Sequence, residues 1–480
     1  MLKKIALFVI MALLPSFTIF AQEGKQVQLP DTPAGQQVQK FLHALDSGEY
    51  ETYIKENFSE QFLKDYPMTE HLGFFRQMSM MHGGFRIHSI EKSTEDEFVF
   101  IGKSKKMDAW RRLLFEIESE PPYRVSGLGI EMAAPPEGMD RIEKKLTEKE
   151  ILEFAESELQ KMAESDDFSG AVLIAKNGKA LFRKAYGMAS KRFNIPNNIE
   201  TRFNIGSINK SFTGMAIAQL LEKGKIHLDD KWDNYLPDFP KEIAAKVTIR
   251  HLLTMRSGMG SYWNDEWETK WAKIKTVEAL IEIIRKIPLD FEPGTQMQYS
   301  NSGYAVLGAI IEKVSGQSYY DYVRENIFMP AGMPNTDSYE LDQIVPNLAI
   351  GYTANRSENP YKNNKLQNNL FIHSVKGAPA GGGYSTLDDL LNYVEALKQN
   401  KLAGAKYTNM NLSMFRNLEN PDKRPPAIAI AGGAPVGINA FVGALIEDGY
   451  TVVVLSNYDP PTAQMFGMKI TKMLRNKSPI

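Results

Sequence analysis

Two turn signals far apart in the chain constrain its architecture more than any other feature. Asn177-Gly178 is flanked by the apolar runs 171–174 and 180–182, and Asp448-Gly449 by the runs 444–446 and 450–455. Asn-Gly and Asp-Gly between such runs predict tight β-hairpins. Most segments between the two hairpins read as helices and loops. A sheet whose strands come from both ends of a domain, with a long helical insertion between them, places a cleft where sheet and insertion meet. The expected fold is therefore α+β, an antiparallel sheet flanked by helices plus a helical insertion, spanning residues 147–480. It opens on the capping box Thr147-x-x-Glu150, which starts a helix through Ile151, Phe154, Leu159 and Met162.

Ahead of this lies a smaller α+β domain, residues 30–132. Its first helix carries Val38, Phe41, Leu42 and Leu45 on one face and stops at Ser47-Gly48. From Gly83 onward the period changes to two, predicting an antiparallel meander through 85–90, 98–101 and 113–117. Residues 133–146 begin Ala-Ala-Pro-Pro-Glu-Gly, a linker by composition. His71, His82 and His88 fit no helix face and no metal-ligand signature, so neither a metal nor a cofactor is expected.

The N-terminus has the layout of a secretory signal peptide: two lysines, an apolar run over 5–20 interrupted by Pro15, and the small Ala21 before Gln22. The run is shorter than the ~20 residues a bilayer span requires, which predicts cleavage after Ala21 and an exported protein, periplasmic or secreted, without a transmembrane segment. The chain contains no cysteine, which excludes disulfides and thiolate nucleophiles. A net charge of −2 provides no basic field for nucleic acid. The expected partner is a small-molecule or peptide substrate.

Chemistry concentrates in a segment that begins Phe203-Asn204-Ile205-Gly206-Ser207-Ile208-Asn209-Lys210 and runs into an apolar helix stopped by Gly224. A serine in the first helical turn and a lysine three residues on share one face, so hydroxyl and amine can meet. The helix N-terminus favours a developing alkoxide and disfavours protonation of a nearby amine. A second Ser-x-x-Lys, Ser89 to Lys92, lies in a strand pattern where such positions face opposite sides. Tyr-x-Asn occurs at Tyr262, Tyr299, Tyr361 and Tyr407; only Tyr299-Ser300-Asn301 follows Pro293-Gly294 and precedes a long apolar helix.

With these surroundings, the Ser207 and Tyr299 segments resemble the first two motifs of the penicillin-recognising, β-lactamase-like superfamily of serine hydrolases. The front domain resembles, in pattern alone, the cone-shaped NTF2-like domains. The superfamily resemblance implies Ser207 as nucleophile, Lys210 and Tyr299 as proton-transfer partners, and Asn301 as a ligand of the substrate amide. It further implies a substrate-side role for Gly432 and Gly433, with the Ser207 and Gly433 amides as an oxyanion hole. The segments 249–258 and 381–386 match the family as loop scaffolding, with Met255 where a histidine is usual. Tyr262 and Trp263 read either as walls of the pocket or as packing.

The third family motif, Lys/His-x-Gly on an inner strand, is broken. Ile430 stands where the cation belongs, and Val436 reads as an extra residue. The expectation is an acyl-enzyme hydrolase acting on an ester or amide (a β-lactam, a D-amino-acid peptide or a carboxylic ester), with a carboxylate-free substrate favoured. The alternative is an impaired relative that binds cell-wall fragments.

Overall fold

Asn177 and Gly178 both adopt left-handed backbone, with φ of 49° and 73°, the conformation that a two-residue hairpin turn demands and that Asn-Gly accepts at low cost. In the computed structural model, which describes residues 19–20, 27–66, 68–105, 109–136, 145–353 and 366–477, this turn joins two strands of the main sheet. The chain divides into two compact units, 1–143 and 144–480.

In the first unit α1 (Pro33–Ser47) is capped by the Thr32 hydroxyl, which accepts from Gly35 N, and ends at Gly48 in the left-handed region. Helices α2 (Tyr50–Asn57), α3 (Glu60–Asp65) and α4 (Met68–His82) follow. Strands β1 (Phe85–Ser93), β2 (Glu97–Ser104), β3 (Trp110–Ile117) and β4 (Val125–Ala133) then form an antiparallel sheet in chain order. The helices and the sheet are joined by buried rings. Phe41 stands 4.9 Å from Phe115 and 5.5 Å from Phe75, and Tyr53, Phe58, Phe98 and Phe100 complete the cluster.

His71, His82 and His88 are packing groups. His71 lies against Phe58 and Phe62, His88 against Trp110, and His82 bonds Ser104, with burial and nearby Arg111 pushing its pKa down to about 4. Of the second Ser-x-x-Lys pair, Ser89 is buried in β1 while Lys92 is exposed and bridged to Glu97. The predicted leader lies outside the described residues except for Ile19–Phe20, which pair with Ile90 and Ser89.

In the second unit the Thr147 capping box is present and opens α5 (Glu148–Glu164). The sheet contains β5 (Gly170–Lys176), β6 (Lys179–Tyr186), β7 (Ala427–Ala434), β8 (Ile438–Leu445) and β9 (Tyr450–Ser456), in the order β7-β8-β9-β5-β6. All neighbours are antiparallel. The second turn differs from its expected form. Leu445 pairs with Tyr450, so residues 446–449 make a four-residue connection in which Gly449 takes φ of 78°. The reason is a tertiary contact: Gly449 O accepts from Asn177 N at 2.9 Å, and the two turns lie side by side because β9 pairs with β5.

Strand alternation separates two cores. Val172, Ile174, Val452 and Val454 face α5 and the C-terminal helix Thr462–Arg475. Ala171, Leu173, Val453, Leu455, Ile428 and Ile430 face the helical insertion. On that side β7 runs close to the turn Gly206–Ile208, and the contact leaves no room for side chains. A Cβ on Gly432 would lie 1.9 Å from Ile205 O, and one on Gly206 would lie 2.8 Å from Gly433 N. Because the obstructing atoms are backbone, Gly432→Ala should destabilise the unit by roughly 1–3 kcal/mol, read as a lower Tm. Gly129→Ala, which meets only ordinary contacts with Leu114, should leave Tm nearly unchanged.

Candidate active site

Helix α6 (Asn209–Glu222) is buried over nearly its whole circumference, so every polar side chain on it needs an internal partner. Ser211 bonds Tyr393 at 2.8 Å, and Gln219 donates to Asn326 O and Leu402 O at 3.0 and 2.8 Å. Just before it, Gly206 with φ of 50° tightens Gly206–Ile208 into a 3-10 turn. Ser207 is thus in that turn rather than in the α-helix proper. Its hydroxyl meets the Tyr299 hydroxyl and the Lys210 amine, and its amide lies in the electropositive helix end.

Lys210, one turn on, is 2% exposed. Its Nζ stands 3.3 Å from Ser207 Oγ, donates to Asn301 Oδ1 at 2.6 Å and donates to the Ala380 carbonyl. The rings of Tyr299 and Tyr304 lie 4.7 and 5.7 Å from it. Among the described residues no carboxylate forms an ion pair with it. Burial therefore pushes its pKa down to about 7.

Tyr299 completes the trio with its hydroxyl 2.7 Å from Ser207 Oγ. As a residue it is 57% exposed, yet burial around its hydroxyl raises the phenol's pKa, with the Ser207 bond acting in the opposite direction. The phenol is neutral at physiological pH. Two contacts flank it in sequence: Gln298 N donates to Met255 O at 2.9 Å, and Ser300 N to Met255 Sδ at 3.4 Å. Ser300 also caps α7 (Asn301–Ser315), accepting from Gly303 N at 3.0 Å, so Asn301 projects from the first helical position toward Lys210.

The structure brings together Ser207, Lys210, Tyr299 and Asn301. Gly432 and Gly433 adjoin them through the β7 contact described above, where a Cβ on Gly432 would lie 2.9 Å from Ser207 N. Tyr262 is 5% exposed and belongs to the core, which favours the packing reading, whereas neighbouring Trp263 is 53% exposed. Of the remaining Tyr-x-Asn triplets, Tyr361 lies outside the described residues and Tyr407 sits on the helix Ala405–Leu412. Ile430 is 5% exposed within the apolar core, and Val436 is part of the turn between β7 and β8. Nearby Arg424 is engaged by Asn409 Oδ1, Lys398 O and Asn400.

Two participants carry no side-chain signature in the sequence, the Ala380 carbonyl and the Met255 carbonyl, while the Met255 sulfur belongs to a residue that stood out only as a departure from the family pattern. The glycines at 381–383 hint at the first, since they permit the close approach that brings the Gly382 amide to Gly206 O at 3.3 Å. Two surface cavities of about 560 and 600 Å³ are lined by other residues, Lys191, Tyr352 and Phe371 in one and Arg285, Leu289 and Phe291 in the other. The site is assigned from its converging groups and not from concavity.

Residues 154–474 match the family described as Beta-lactamase. Penicillin-binding protein 4* of Bacillus subtilis is 29% identical over 63% of this chain and 70% of its own length. The teichoic acid D-alanine hydrolase of Staphylococcus aureus is 29% identical over 55% of this chain, and the match spans 63% of that protein. The crystal structure of a penicillin-binding protein from Bacillus halodurans aligns with a TM-score of 0.57 at 27% identity, covering 65% of this chain and 98% of that one.

Two outcomes follow from the state of Lys210. If its neutral amine accepts the serine proton, acylation by a nitrophenyl ester should rise through an acidic limb centred near pH 7 and level off above it. Stability runs the same way. The folded-state pKa lies below the ordinary 10.5, so the cost of the buried charge is full below pH 7 and disappears as pH approaches 10.5. Lys210→Met should therefore raise stability at pH 6 by about 1–3 kcal/mol, by less at pH 10, while abolishing acylation. Thermal denaturation at the two pH values checks this.

Proposed function

The chain belongs to the beta-lactamase family of serine hydrolases, and on that premise we propose that its second unit hydrolyses carboxylic esters or amides through an acyl-enzyme on Ser207. The observation that carries this reading is the meeting of Ser207 Oγ, the Tyr299 hydroxyl and an unpaired Lys210 amine within 3.3 Å. Ser207 Oγ attacks the substrate carbonyl carbon while its proton passes to Lys210 Nζ or, through Tyr299, to the same small network. The oxyanion is received by the amides of Ser207 and Gly433, each worth roughly 3–4 kcal/mol in the transition state. As the tetrahedral adduct collapses, Tyr299 donates a proton to the departing alcohol or amine. Water then attacks the ester on Ser207, its proton passes through the Lys210–Tyr299 pair to Ser207 Oγ as the ester bond breaks, and the free acid leaves. Asn301 is left to orient the acyl side of the substrate.

The substrate class follows from Ile430. An apolar side chain buried in the core gives no counter-charge to a carboxylate beside the scissile bond, and leaving such a charge unpaired near a closed site is costly. Substrates without a carboxylate on the leaving-group side of the scissile bond are favoured over penicillins and C-terminal D-amino-acid peptides. The D-alanine of teichoic acid, named in the staphylococcal relative, is a candidate within this class. The predicted leader and the apolar stretch before Gln22 support an exported enzyme, and the front domain, an NTF2-like module in our reading, serves as its accessory unit.

Ile430 also motivates the second reading, a cleft that binds without turning over. Mass spectrometry after exposure to a fluorophosphonate, an activated neutral ester and a penicillin separates the two. The expected result is an adduct on Ser207 with the first two reagents, at least about tenfold slower labelling by the penicillin, and no adduct in Ser207→Ala. Wild-type protein that resists all three is a binder.

A further inference from the structure

Lys210 is held by a loop, and the loop is held by the helix that carries Lys210. Three successive carbonyls of that loop face three side chains of α6. Ala378 O accepts from Asn209 Nδ2 at 3.3 Å, Pro379 O from Thr213 Oγ1 at 2.7 Å, and Ala380 O from Lys210 Nζ. Between them the chain folds sharply back, with Ala378 N donating to Gly381 O at 2.8 Å and Gly381 N to Ala378 O at 3.0 Å. On its other side the loop meets α7 so closely that a Cβ on Gly308 would lie 2.2 Å from Pro379 Cγ. Thr213 is fully buried. Its single proton faces two carbonyls, Pro379 O at 2.7 Å and Asn209 O at the longer 3.4 Å; with that proton on the nearer one, the Tyr319 hydroxyl, 2.8 Å from Thr213 Oγ1, is left as the donor of their shared bond.

We propose that Thr213 is a positioning residue that holds the Ala380 carbonyl against the Lys210 amine, and so governs the pH at which that amine can take the Ser207 proton. The inference rests on the reading of Lys210 as the serine's base given above. Pro379 and Ala380 share a peptide unit, so the Thr213 bond to one carbonyl fixes the plane from which the next one projects. A carbonyl oxygen stabilises an ammonium more than a neutral amine. Ala380 thus partly offsets the effect of burial and keeps Lys210 basic enough to accept a proton. Few charges compete with this control. Among the described residues, the titratable groups facing Lys210 are the phenols of Tyr299 and Tyr304, from the Tyr299 loop and α7. Further out, Tyr319 bonds Thr213, Tyr393 bonds Ser211, and Arg416 acts on Tyr304.

The sign of the effect is specific. Thr213→Val keeps the shape and removes the hydroxyl, freeing the Pro379 carbonyl to turn and loosening the Ala380 contact. Lys210 then loses support for its charged form. The acidic limb of kcat/KM for a neutral nitrophenyl ester should move to lower pH by about half a unit or more. A less basic amine should also lower the plateau by roughly three- to tenfold. Thr213→Ser, which retains the donor, should restore both midpoint and plateau. A hydroxyl that serves only the fold would change the plateau or Tm and leave the midpoint in place.

The experiment is a kcat/KM–pH profile of the full chain and both variants, with Ser207 labelling by fluorophosphonate run in parallel. A valine midpoint equal to that of the wild type overturns the inference, as does a serine variant that shifts as far as valine. Should the valine protein not fold, Thr213→Cys, a weaker donor of similar size, carries the same expectation of a downward shift. A wild-type protein with no acidic limb and no label on Ser207 instead overturns the proposed function itself. A labelled wild type with a normal limb and an unmoved valine limb overturns only the role of Thr213.

Discussion

Among the described residues the buried amine of Lys210 has no counter-charge, and much of the second unit is arranged around that fact. An ammonium taken out of water and left unpaired costs several kcal/mol, and a protein answers either by pairing it or by lowering its pKa. Here the second answer operates, because the partners of Nζ are neutral: a hydroxyl, an amide oxygen and a carbonyl. The group is kept close to the boundary between its charged and uncharged forms. That is a poor arrangement for stability and a good one for proton transfer.

Placing such a group requires a rigid frame, and the frame is built from unlike parts. The helix brings serine and lysine together through its own periodicity. The phenol arrives from a loop that Met255 grips on either side, with Met255 itself in left-handed backbone at φ of 58°. The strand β7 closes the remaining side, and Gly206 and Gly432 let its backbone come within contact distance. Where relatives by resemblance carry a cation on this strand, Ile430 extends the apolar core to the edge of the cleft. In the proposed reading the loss is selective: it removes an anchor for one class of substrate and leaves the Ser207, Lys210 and Tyr299 contacts in place.

Much of this was legible from the residues, for identifiable reasons. Asn177-Gly178 announces its turn because both residues tolerate positive φ. The Asp448-Gly449 turn opened into a longer connection because its partner across space is another turn, which local sequence does not encode. The reactive trio was readable because each member is a side chain in a recognisable setting. The Ala380 and Met255 carbonyls were not, since every residue has one and only tertiary packing selects which is used. Adjacent aromatics pose a related ambiguity. Tyr262 and Trp263 are equal candidates by composition, and the chain turns the first inward and leaves the second in solvent.

The neighbours of β5 have a consequence for how this molecule comes into being. One is β6, its immediate successor along the chain, but the other is β9, which belongs to the last stretch of the chain. During synthesis β5 and β6 emerge early and then wait, with an apolar edge unsatisfied, until nearly everything else has been made. Pairings of such long sequence separation form slowly, and waiting edges invite association with other chains. The helix α6 is laid down in the interval, against a sheet that is still only partly assembled. A ribosome stalled short of Tyr450 would release a chain containing all the reactive side chains and no finished surface on which to hold them.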